Sequence, residues 1–139
     1  MIRNERQYRT TKAQIEKFAN ALAEAEGRKA GDPLLRKLEG DALRSQRHDL
    51  EQQVQEYEKL RSGRCGVIQV DSFEELPGAL VRARIAAGLS QKELADRLGI
   101  KEQQIQRYEA TNYQSASLAR LQQVVKGLGV EVRGVLEGT

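Results

Sequence analysis

The chain has 139 residues and a formal net charge of +3, with 39% hydrophobic and 31% charged residues and no tryptophan. That length holds one ordinary domain, or a small domain of about 70 residues with a helical extension, and excludes a large multidomain enzyme. One cysteine, Cys65, and one histidine, His48, exclude an internal disulfide and a His/Cys metal cluster.

No apolar run approaches the ~20 residues of a membrane span, and the charged start MIRNERQYRTTK has no apolar stretch behind it. Neither a span nor a signal peptide is expected, and a reducing cytoplasm is the default. Only Pro33 and Pro77 interrupt a sequence rich in Ala, Leu, Glu, Lys, Arg and Gln, so helix dominates the expectation.

In chain order, Glu5 to Glu26 reads as an amphipathic helix with Tyr8, Ile15, Phe18 and Leu22 on one narrow face. GRKAGDP, residues 27–33, supplies a C-cap glycine at Gly27, a second glycine, an N-cap at Asp32 and a proline at the first helical position. A second helix is expected from Pro33 to about Arg61. Leu35, Leu38, Ala42, Leu43, Leu50, Val54, Tyr57 and Leu60 drift along one side of it, and Gln46 and Gln53 interrupt the seam. Residues 1–62 thus read as a helical hairpin used for dimerisation or for gripping a partner. His48 sits on its charged surface.

SGRCG, residues 62–66, breaks the pattern, and Cys65 within it reads as an incidental linker residue. Residues 63–75 form the expected linker, with a short strand at Val67, Ile68 and Val70 and a capping-box spacing from Ser72 to Glu75. At the far end, Val130 and Val132 alternate with Glu131 and Arg133. Two short terminal strands are placed to pair with one another or across a dimer.

The most informative stretch is SQKELADRLGIKEQQIQRYEA, Ser90 to Ala110. Ser90 and Glu93 form a capping box that starts a helix at Gln91, Leu94 and Leu98 face inward, and Ala95 is small enough for a close helix crossing. Gly99 can take the left-handed conformation that ends the helix, because it lacks a Cβ. Ile100 plugs the turn. A second helix follows with Ile105 and Tyr108 inward and Gln103, Gln104, Gln106 and Arg107 outward. Glutamine can bond adenine through both amide atoms, and arginine can bond guanine O6 and N7, in a major groove wide enough for a helix. From Leu76 to Lys126, eight basic residues stand against four acidic ones, a balance that favours a polyanion.

These residues resemble the helix-turn-helix of the phage-repressor and Cro-type (XRE) family, in which Ala95, Gly99, Leu94, Leu98, Ile100, Ile105 and Tyr108 have their counterparts. The resemblance covers about Leu80 to Leu128, says little of the first 60 residues, and implies a lambda-repressor-like domain over residues 76–139; with the helical hairpin read above, the expected fold is all-α. It further implies a supporting helix at about Gly78 to Ala87 and a closing helix from Ser117 to Leu128. The ending EATNYQSASLARLQQVVKGLGV is also similar to antitoxins of the HigA type. By this resemblance Gln103, Gln104 and Arg107 reach base edges. Gln91, Lys92, Lys101 and Asn112 lie near the sugar-phosphate backbone, Gln91 through its side chain or the helix N-terminus. Lys101 departs from the family by occupying the usual Ser/Thr cap position, at a cost of roughly 1 kcal/mol unless another group caps the helix. Glu102 departs too, as a carboxylate beside phosphates.

Enzyme chemistry lacks parts: one histidine builds no nucleophilic triad, no glycine-rich phosphate loop follows a strand, and no acidic cluster invites a metal. No catalytic residue and no cofactor are expected. Three functions remain. The first is a homodimeric repressor reading an inverted repeat in double-stranded DNA. The second is an antitoxin that also binds a RelE-like protein toxin, and the third is a helical adaptor that has lost DNA binding.

Overall fold

Helix initiation in the N-terminal part follows from its caps. In the computed structural model, which describes residues 1–28, 31–64 and 66–139, α1 spans Glu5–Gly27 and α2 spans Pro33–Arg61. Asn4 caps α1 by accepting from the Gln7 backbone N–H, and the Gln7 amide oxygen accepts in return from the Arg3 N–H at 2.8 Å. Asp32 starts α2 by accepting from the Leu34 N–H at 2.9 Å, with Pro33 at the first position, where a missing N–H costs nothing. The expected glycine cap at Gly27 does not form. Gly27 is the last helical residue, Arg28 caps in an extended conformation, and the left-handed backbone falls to Gly31 at φ 107°. Lys29 and Ala30 of this turn, and Cys65 of the later breaker, lie outside the described residues.

The chain divides into two compact units, Met1–Lys59 and Leu60–Thr139. Within the first, α1 and α2 run antiparallel. Tyr8 and Tyr57 pack with ring centroids 5.2 Å apart, and each hydroxyl donates to a carboxylate on the opposite helix, Tyr8 to Glu58 and Tyr57 to Glu5. At the other end Arg44 reaches Glu26 at 3.1 Å. The apolar stripe expected along α2 is only partly inward. Val54 and Tyr57 are buried, whereas Leu34, Leu35 and Leu38 are more than half exposed. The inward face of the first half of α2 runs instead through Arg36, Gly40, Leu43 and Arg47, all at least half-buried, and at 100° per residue the three leucines project well off that line.

The second unit contains a 3-10 turn, Phe73–Glu75, then α3 Leu76–Ala86, α4 Gln91–Leu98, α5 Glu102–Ala110 and α6 Leu118–Leu128. The Ser72–Glu75 capping box does not close. Ser72 makes no side-chain cap, and the Glu75 carboxylate accepts from the Asp71 N–H at 2.9 Å. Among the described residues there is no strand: 67–70 and 130–135 are both irregular. A strand needs a ladder partner, and among the described residues neither segment is paired in one.

The core of this unit is aliphatic. Leu94, Ile105 and Val124 are fully buried at its centre, ringed by Leu80, Val81, Ile85, Leu89, Ala95 and Leu128. Tyr108 and Tyr113 stack with centroids 5.5 Å apart. α6 approaches α4 so closely at Gly127 that a Cβ there would lie 2.7 Å from a Leu98 methyl, and Arg97 donates to the Gly127 carbonyl at 2.8 Å. Among the described residues, no helix is long and apolar enough to cross a membrane.

Candidate nucleic-acid interface

The turn between α4 and α5 sets the site. Ser90 and Glu93 form the full capping box at the start of α4. The Ser90 backbone N–H and hydroxyl hold the Glu93 carboxyl below the usual carboxylate range. Gly99 ends α4 at φ 70° and ψ 30°, and the Ile100 N–H closes the turn on the Ala95 carbonyl at 3.0 Å. α5 starts two residues later. Its N-cap, Lys101, has extended backbone angles but no side-chain cap bond, so the departure noted at this position stands as an uncapped terminus.

A buried ionic cluster holds the rear of α5. Arg84 of α3 donates through Nε and Nη2 to the two carboxylate oxygens of Glu109, at 2.6 and 2.9 Å, and through Nη1 to the Leu89 carbonyl at 2.9 Å. Gln91 of α4 adds its amide to Glu109 Oε1 at 2.9 Å. Arg84 and Glu109 are 2% and 1% exposed. Fork-to-fork geometry and a satisfied carbonyl make such a pair tolerable in an apolar interior. Three helices therefore converge on one carboxylate of α5.

The charge balance from Leu76 to Lys126 includes Arg84 and Glu109 but does not separate buried from exposed charges. The missed signal is positional, because Glu109 lies four residues after the buried Ile105 and so on the same inward face. Gln91 is likewise turned inward and is 5% exposed. Its side-chain amide is engaged by Glu109, so the side-chain route expected for Gln91 is turned into the interior.

The front of α5 is polar. Gln103 and Arg107 are exposed and Gln104 is half-buried; at 100° per residue the three occupy one sector of the helix. The Gln104 amide donates to the Tyr108 hydroxyl at 2.8 Å, which orients the side chain along the helix. Gln106 lies outside this sector and turns toward Glu102. Lys92, Lys101 and Asn112, the last at φ 52°, are all exposed, with Lys92 3.3 Å from Asp96. The arrangement can place two amides and a guanidinium on base edges, with cations toward the flanking phosphates.

Residues 80–135 match the Helix-turn-helix family model, a DNA-binding regulator class; this span contains α4, the Gly99 turn and α5. Neither the curated proteins nor the solved structures contain a match to the chain.

Proposed function

We propose that the chain is a sequence-specific transcriptional repressor that binds an inverted-repeat operator in double-stranded DNA as a homodimer. The observation that carries this reading is the polar sector of Gln103, Gln104 and Arg107 on a helix whose back is fixed by the Arg84–Glu109–Gln91 cluster. In this reading α5 lies in the major groove. Gln103 and Gln104 address adenine edges and Arg107 addresses guanine. Lys92, Lys101, Asn112 and the N-terminus of α4 contact phosphates and set the register. Two-fold pairing doubles the few base contacts one helix can make and spaces the half-sites about 10 base pairs apart, or a multiple of that. The test is selection of bound duplexes from a randomised pool. Enrichment of an inverted repeat supports the reading, and a pool that stays random contradicts it.

A second reading, an antitoxin that also holds a protein toxin, draws on a different observation. Leu34, Leu35 and Leu38 form an exposed apolar cluster on α2, which DNA binding does not require and a protein partner would cover. An adjacent gene whose product arrests growth unless this chain is co-expressed would favour it, with protection lost on Leu35→Asp and Leu38→Asp.

A further inference from the structure

α6 ends at the left-handed cap Gly129, and beyond it residues 130–139 are exposed and in neither helix nor strand. The segment nevertheless has strand character, with Val130 and Val132 alternating with Glu131 and Arg133. The Arg133 guanidinium lies 3.0 Å from the Glu131 carboxylate, so side chains two residues apart share a face, as they do in an extended chain. Val132 is 53% exposed.

This short sequence is complementary to itself. Two copies laid antiparallel about a two-fold axis at Val132 bring Glu131 opposite the second copy's Arg133, Arg133 opposite its Glu131, and Val132 opposite Val132. Centring the pair on Glu131 or Arg133 opposes like charges. A one-residue slip sets a charge against a valine and turns the apolar face over. Of the registers centred within residues 131–133, only the one on Val132 opposes unlike charges; a pair centred on Val135 would instead set Arg133 opposite Glu137, and a Glu137 variant separates the two.

We propose that residues 130–134 of two copies pair as an antiparallel two-strand ribbon centred on Val132, and that this ribbon is the dimer contact. It gives a sheet ladder to a segment that is in neither helix nor strand in the single chain, beyond the Val130 N–H that bonds the Val125 carbonyl. The ribbon begins one residue after the Gly129 cap of α6, so it ties the two DNA-reading units together without passing through the N-terminal hairpin. Its role in fixing half-site spacing rests on the repressor reading, but its existence does not.

The test is sedimentation of the full chain at low salt without DNA. A ribbon this short is weak alone, so the wild type is expected to dimerise weakly, reversibly and in a concentration-dependent way. Glu131→Arg alone and Arg133→Glu alone each turn two cross-strand attractions into repulsions and should weaken the dimer by about tenfold or more. The double variant carrying both changes should regain it, and so should an equimolar mixture of the two single variants, which pair as a heterodimer. Glu137→Arg, beyond the ribbon, should behave as wild type. The proposal is overturned by a monomeric wild type, by single variants that dimerise normally, or by a double variant and mixture that stay monomeric. DNA binding is read separately on the same proteins. A wild type that dimerises but ignores DNA sequence would remove the repressor reading alone, and one that reads sequence as a monomer would remove the ribbon alone.

Discussion

Truncating Glu109 strands the Arg84 guanidinium in an apolar interior, so Glu109→Ala is expected to cost about 3–5 kcal/mol in urea unfolding; a loss near zero would mean the cluster is not closed in solution. Burial likewise pushes the Tyr113 phenol above its ordinary range. Below the unfolded pKa of about 10 this has no effect, because the phenol is neutral in both states. As pH rises past that value the unfolded chain ionises first, and stability is lost. Tyr113→Phe should therefore flatten the alkaline limb of a stability–pH curve, and an unchanged limb would contradict the assignment. These residue-scale features are the least legible in the sequence. Arg84, Gln91 and Glu109 are ordinary surface types, and only the packing of three helices around one carboxylate makes them interior.

Helix ends were the most legible elements, because a cap is settled by residues three or four apart. Asp32–Pro33, Ser90–Glu93 and Gly99 all act where the sequence puts them, and Ser117, expected as the first residue of the closing helix, is instead its N-cap. Ser72–Glu75 and Gly27 have the right residue types, but at each the backbone takes another route to satisfaction. The valine segments and the first half of the α2 stripe were misread for a different reason. Strand pairing and helix orientation depend on what lies opposite, which spacing alone does not encode. At α5 the uncapped start gives a prediction with two parts. Lys101→Ser should stabilise the domain by up to about 1 kcal/mol by supplying a cap. It should also weaken DNA binding to all sequences alike and reduce the salt slope by about 1. A variant that gains stability with unchanged salt dependence would place Lys101 away from the phosphates.

For the whole molecule, the charge balance from Leu76 to Lys126 survives removal of the buried pair, since Arg84 and Glu109 cancel. The remaining basic residues are expected to meet several phosphates, and six contacts would give a slope of about −5 in log K against log salt. A slope near zero on any duplex would favour the adaptor role instead. The all-helical architecture and the turn at Gly99 were readable because the aliphatic spacing repeats over full helices, and the outward sector of α5 was readable as its complement. The central claim is that Gln103, Gln104 and Arg107 read bases, and it is tested most directly by comparing wild type with each alanine variant on the selected operator and on a scrambled duplex. Each substitution should lower discrimination between the two by ~1–3 kcal/mol while leaving affinity for the scrambled duplex largely intact. Discrimination equal to wild type in all three variants would contradict the account.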